Sequence, residues 1–229
     1  MDLIEALRTT GAVREFLPEP VPDVVLHRVL DTARFAPSGG NRQGWRVVVV
    51  KDAGLRRGLR DLYLGPWYDY LALAGAGMTP WSPTSDRDAE AAALAGAPAV
   101  AEAAAQGPGG FAEHLDEVPV LAVLFADLAA LATVDRDSDR YTMAGGASVY
   151  PFAWNLLLAA RAEGLAGVMT TMLVRQEDEV RRMLAAPDHW AVAAVLALGR
   201  PRRPVRKLTR RPVESFATVD RADGAPLAS

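Results

Sequence analysis

The 229-residue chain contains no cysteine and only two lysines, Lys51 and Lys207. Without thiols it has no disulfide scaffold, no cysteine nucleophile, no iron–sulfur or c-type haem attachment and no cysteine zinc site. Histidine is scarce as well: His27, His114 and His189 stand far apart and HExxH is absent, which argues against a histidine metal site. Neither lysine lies in an apolar run that would depress its pKa for Schiff-base chemistry. The phosphate loop GxxxxGKS/T, the dinucleotide fingerprint GxGxxG and the nucleophile elbow GxSxG are missing too. Triphosphate hydrolysis, pyridoxal chemistry and elbow-type serine hydrolysis therefore lose their usual residues. The absence of any secretory pattern near Asp2 and Glu5 reads as a cytoplasmic protein. Residues 118–134 imitate a membrane span but fall short of the ~20 apolar residues needed, and Pro119 and Asp127 interrupt them. They read as a buried strand followed by a helix.

Half of the residues are apolar and the net charge is −3, and the length of residues 1–229 makes one large or two small domains, enough to bury a real core. After a short helix over 2–8, residues 22–36 carry the clearest helical pattern: Pro22 and Asp23 suit the first turn, and Val25, Leu26, Val29, Leu30 and Ala33 recur on one face. A tight loop, Ser38-Gly39-Gly40-Asn41, leads into a strand over 45–50 whose four valines suggest burial on both faces. Residues 65–110 are rich in Ala, Gly and Pro and carry Trp67, Tyr68, Tyr70 and Trp81, which reads either as a substrate lid or as a surface insertion. Further elements are predicted as strands over 120–125, 168–171 and 190–198 and helices over 148–163 and 176–184; Pro151 fits a helix only in its first turn. Interleaved strands and helices imply an α/β or α+β class with one mixed central sheet. Residues 200–229 form an extended arm, since Pro201, Pro204 and Pro212 forbid a continuous helix. Asp135, Asp137 and Asp139 start like a calcium loop, but Arg140 replaces the turn glycine, so they read as a solvated loop.

The charge is unevenly laid out. Arg8 and Arg14 flank Thr9-Thr10-Gly11, while Arg200, Arg202, Arg203, Arg206, Lys207, Arg210 and Arg211 crowd the C-terminal arm. The arm suits a nucleic-acid patch poorly, because no aromatic residue interleaves with it before Phe216. It is either a solvated linker or, if the two termini meet, half of a guanidinium site for one phosphate. Ser38 can equally cap a turn, Asn41 can merely tolerate an unusual backbone angle, and Arg14 can pair with Glu15 or Glu19.

Ordered blocks carry a resemblance. Arg8-Thr9-Thr10, Ala12-Val13-Arg14-Glu15-Phe16, Pro20-Val21-Pro22 and Ala36-Pro37-Ser38-Gly39-Gly40-Asn41-Arg42-Gln43-Gly44-Trp45 resemble the N-terminal signature of the FMN-dependent nitroreductase family. The stretches 155–167, 197–201 and 210–214 resemble its later blocks in the same order. The resemblance implies an α+β homodimer with a three-layer α/β/α arrangement, a mixed, mainly antiparallel central sheet and a C-terminal arm exchanged between subunits. It also implies two interface FMN sites and an NADH- or NADPH-driven ping-pong oxidoreductase acting on a nitroaromatic or quinone. No metal, nucleic acid or membrane is implied, and no side chain need act as acid or base, because the flavin carries the chemistry. Arg8, Thr9, Thr10 and Arg14, with Arg210 and either Lys207 or Arg211, would hold the phosphate, ribityl chain and pyrimidine edge. Pro37, Ser38, Gly39 and Asn41 would reach the isoalloxazine from a second chain, and the backbone near Met169, Thr170 and Thr171 would face its N5 and O4. Trp67, Tyr68, Tyr70 and Trp81 would stack an acceptor. Related folds run biosynthetic dehydrogenation, dehalogenation or flavin cleavage, and the middle segment is where such a specialisation would sit.

Overall fold

The computed structural model describes residues 2–203 and 206–228; the arm position Pro204 lies outside them. Four strands form one sheet in the order β1-β2-β4-β3, where β1 is Trp45–Val50, β2 Val120–Asp127, β3 Ala166–Thr170 and β4 Trp190–Gly199. All three pairings are antiparallel. A single parallel bridge, Ala12 to Gly167, lays the N-terminal segment along the outer edge of β3.

Apolar alternation on the two central strands divides the interior into two cores. Val120, Ala122, Leu124 and Ala126 of β2 face one side with Ala194, Leu196 and Leu198 of β4. Leu121, Val123 and Phe125 face the other with Val195 and Ala197. Helices α2 (Asp23–Ala33) and α6 (Tyr150–Ala162) cover the first face, and α3 (Ala53–Gly75) and α7 (Glu177–Met183) the second. The class is therefore α+β in three layers. Because both faces are covered, β2 is buried along its whole length and reads as an unbroken apolar run from Val120 to Ala126. A bulge between Leu124 and Phe125 opposes Val192 and Ala194, placing Ala193 and Ala194 in the same core.

Several local expectations need correction. Helix α2 ends at Ala33, three residues earlier than its pattern suggests, because a turn at Arg34 redirects the chain. The interior of β1 is half-buried rather than buried on both faces, since β1 is an edge strand with only β2 beside it. No helix follows β2: Leu128–Ala130 form a turn closed by Ala130 N donating to the Asp127 carbonyl. Asp135 is not solvated. It is 9% exposed and accepts from Met143 N (2.7 Å) and Ala144 N (3.1 Å), so it closes the loop that leads to α6. Pro151 does sit in the first turn of α6.

The segment after β1 is helical to a degree that its composition hides. Helix α3 runs 23 residues through Gly58, Gly65 and Pro66, starting at Asp52, whose carboxylate accepts from Leu55 N at 2.8 Å. Arg56 ties its start to the sheet by donating to the carbonyls of Val50, Asp116 and Val118. Two shorter helices follow, α4 (Arg87–Leu94) and α5 (Ala97–Ala105), separated at Gly96. No helix among the described residues is long and apolar enough to cross a membrane.

Candidate functional site

Helix α1 (Leu3–Thr9) is capped by Asp2, which accepts from Ile4 N and Glu5 N, and carries Arg8 in its last turn. The Thr9 hydroxyl turns back to donate to the Glu5 carbonyl, and the Thr9 carbonyl accepts from Arg161 at 2.6 Å. Thr10 is different: it is 8% exposed and its hydroxyl has no hydrogen-bond partner among the described residues. A buried hydroxyl left unpaired costs about 1–3 kcal/mol, so Thr10 is the threonine with an unused polar group.

The chain then runs along β3, with Val13 N donating to the Gly167 carbonyl at 2.9 Å. At the other terminus, Leu17 N donates to Arg200 O, Arg202 N to Glu15 O and Leu208 N to Arg8 O, so the two termini meet as a ladder. A cavity of about 500 Å³ between them is lined by Gly11, Arg14, Glu15, Arg203, Arg206 and Lys207. A neighbouring recess of about 430 Å³ is lined by Arg8, Lys207 and Arg210. Glu15 is taken by Arg203 (3.5 Å) and Glu19 by Arg200 (3.0 Å), so neither carboxylate neutralises Arg14. Among the described residues, Arg8, Arg14, Arg206, Lys207 and Arg210 have no carboxylate within salt-bridge distance. Gathered like charges without a counter-ion repel, and a phosphate would relieve them. Arg211 is exposed beyond the second recess.

At the far end of β3, Met169 packs into the core under α6, while Thr170 faces α3 and its hydroxyl lies 2.9 Å from that of Tyr63. Burial pushes the Tyr63 phenol above its ordinary pKa; the bond to Thr170 and the nearby Arg14 guanidinium act against that rise. Tyr63 and Thr170 therefore adjoin one another, with the Arg14 guanidinium near enough to act on the phenol. Thr171 ends the strand, exposed.

The glycine loop lies elsewhere. Pro37 is exposed, Ser38 accepts from Gln43 N, and Gly39 N donates to the Ser148 hydroxyl, both at 3.0 Å. Gly40, Asn41 and Gln43 all have positive φ (60°, 52° and 52°), a strained run for the two that carry a Cβ. This loop precedes β1, on the opposite edge of the sheet from β3. Three strand spacings separate the two edges by about 14 Å, so one chain does not bring the loop to the arginines. The loop borders an uncovered apolar face instead. Leu128, Met143 and Tyr150 line a cavity of about 640 Å³ there, and Trp154 of α6 is also exposed.

Three of the four expected acceptor-stacking aromatics pack against each other. Trp67 and Tyr70 are parallel at 5.4 Å, Tyr70 meets Trp81 at 6.2 Å, and Arg175 lies 4.3 Å over Trp81. Tyr68 turns away and donates to Glu113 at 3.1 Å. Sequence reasoning missed Tyr63, Ser148 and Arg175; Tyr63 and Trp67, four residues apart on α3, were the available signal. Among the described residues no group of His, Asp and Glu is arranged to hold a metal.

The profile of the Nitroreductase family matches residues 7–200. An NADH dehydrogenase from Thermus thermophilus is 30% identical over 241 aligned positions, covering 93% of this chain and 94% of its own. A 5,6-dimethylbenzimidazole synthase from Rhodobacter capsulatus is 31% identical over 201, covering 87% and 83%. In structure the chain is similar to oxidized iodotyrosine deiodinase bound to FMN and 3-iodo-L-tyrosine, with a TM-score of 0.62 at 22% identity, covering 93% and 96%.

Proposed function

The chain belongs to the nitroreductase family, and from that premise we propose that it is an FMN-dependent oxidoreductase working as a homodimer in the cytoplasm. Bound FMN would supply hydride uptake from NADH or NADPH and electron delivery to a small acceptor such as a nitroaromatic or quinone, in ping-pong order. The observation that carries this reading is the cationic recess where the termini meet: its Glu15 pairs with Arg203, which leaves Arg8, Arg14, Arg206, Lys207 and Arg210 without a carboxylate partner among the described residues, and the Thr10 hydroxyl, unpartnered among them, follows Arg8 in the chain. Its donors fit a phosphate with an adjoining polyol: Arg8, Lys207 and Arg210 hold the phosphate, and Thr10 donates or accepts at the ribityl chain. Arg14 sets positive charge toward the pyrimidine edge, next to Thr170 and Thr171. Pro37, Ser38, Gly39 and Asn41 come from a second copy, because within one chain they stand three strand spacings away. The apolar face around Leu128, Met143, Tyr150 and Trp154 supports that copy's docking. Exchange of the C-terminal arm belongs to the same proposal.

A second reading keeps the cofactor and changes the reaction. Relatives named as a 5,6-dimethylbenzimidazole synthase and an iodotyrosine deiodinase favour a specialised oxidation or dehalogenation, and the aromatic group on α3 with Arg175 is where selectivity would reside. Anaerobic mixing of the FMN-loaded protein with NADH or NADPH tests the first reading. Bleaching of the flavin absorbance, reversed by a nitroaromatic or quinone, is the expected result. Flavin that neither nucleotide bleaches would exclude the nicotinamide-driven reaction.

A further inference from the structure

The hydroxyl pair between Tyr63 and Thr170 has a geometry that goes beyond packing. Thr170 is the last residue of β3 and is directed by strand alternation, with Val168, toward the α3 side of the sheet. Tyr63 meets it from α3 and is 2% exposed. Its ring is pinned edge-on by Phe111 (6.4 Å, 85°) and on another side by Trp67 (6.3 Å), so its oxygen has one position. The 2.9 Å contact to Thr170 Oγ1 is the hydrogen bond that phenol makes among the described residues. Burial keeps the phenol neutral and therefore a donor. Either hydroxyl can be the donor in this contact; the phenol is the stronger acid of the two, which favours Tyr63 donating and Thr170 accepting. Thr170 is half-buried, and its hydroxyl makes no hydrogen bond other than the one to Tyr63 among the described residues. Receiving one hydrogen bond strengthens a hydroxyl as donor of the next.

We propose that Tyr63 is a positioning residue: it presets the Thr170 hydroxyl as a donor to the oxidised cofactor's ring edge in the site bounded by Arg14. This assignment rests on the FMN reading above. Its benefit is preorganisation, because the donor is oriented before the cofactor arrives and need not be recruited from solvent. The same residue types at the same places, Tyr on a helix and Thr at a strand end, would be interchangeable with Phe and Val if packing alone were involved.

The test compares the parent with Tyr63→Phe, Thr170→Val, Thr170→Ser and the double variant Tyr63→Phe/Thr170→Val. The readouts are FMN dissociation constant by fluorescence titration, the shape of the bound flavin's absorption bands, and apoprotein Tm. Tyr63→Phe and Thr170→Val should each weaken FMN binding about three- to tenfold and alter the bands. The double variant should be no weaker than Thr170→Val, because the two act through one hydroxyl, and Thr170→Ser should bind like the parent. The assignment is overturned if Tyr63→Phe binds FMN with the parent's affinity and spectrum, if Thr170→Val does so, or if the two losses simply add. A parent protein that binds no FMN overturns the cofactor reading, and this assignment with it.

Discussion

Gly167 joins the stability of the sheet to the construction of the site, and replacing it with alanine separates the two accounts of why it is glycine. Its carbonyl accepts from Val13 N, the bond that fixes the segment carrying Arg14. A Cβ built on Gly167 would stand 2.5 Å from the Ala197 carbonyl oxygen and would also strike the Leu198 side chain. A carbon–oxygen contact of this kind normally needs about 3.3 Å, so β3 and β4 would have to part by roughly 0.8 Å. The obstacle is backbone of a buried central strand, which places the cost in the upper part of the ~1–3 kcal/mol range for overpacking. In a chain of this size that corresponds to a Tm lower by roughly 4–12 °C. Because β3 would carry Val13 and Arg14 with it, FMN affinity should fall as well. Gly65→Ala is the control: a Cβ there meets nothing within 4 Å, and alanine inside a helix should add about 0.5–1 kcal/mol. Thermal melts and FMN titrations of the two variants decide. A Gly167→Ala protein that melts within a degree of the parent and binds FMN equally well would refute the reasoning.

If each site draws its arginines from one chain and its glycine loop from the other, then Arg14→Ala and Ser38→Ala/Asn41→Ala chains should complement when mixed. Random pairing leaves about a quarter of all sites intact in a two-fold symmetric dimer, and FMN bound per chain should recover accordingly. No recovery after verified subunit exchange would place the whole site within one chain. A separate expectation concerns pH. The Pro108 carbonyl and then Glu117 raise the His114 pKa above its ordinary value, so its protonated form is the one the fold favours. That stabilisation is complete below the unfolded pKa of about 6.5 and is lost as pH rises through the folded value. The Tm difference between parent and His114→Gln should therefore shrink as pH rises from about 6 to 8, followed by calorimetry.

What the sequence disclosed follows the physics of each segment. β2 and β4 were legible because both faces are covered and their residues are uniformly apolar, and α2 because a single apolar stripe repeats along it. Helix α3 was not, since Gly58, Gly65 and Pro66 dilute its helical signal while its contacts to the sheet override it. Asp135 looked solvated because its two backbone donors, Met143 and Ala144, lie eight and nine residues further on. In the site, the charge layout left the meeting of the basic termini as one of two readings of the arm, and the Tyr63–Thr170 bond spans 107 residues and had no local trace. The expected aromatic platform shows the same limit, because only the folded chain reveals that Trp67 and Tyr70 occupy each other's faces.

The central claim is that the cations gathered where the termini meet bind the anionic cofactor. FMN titration of the parent, Arg14→Ala and Arg210→Ala proteins measures it most directly. The account predicts one FMN per chain in the parent and affinities lower by roughly ten- to a hundredfold in each variant, as expected for losing a charge-assisted hydrogen bond. Variants that both hold FMN as tightly as the parent would contradict it.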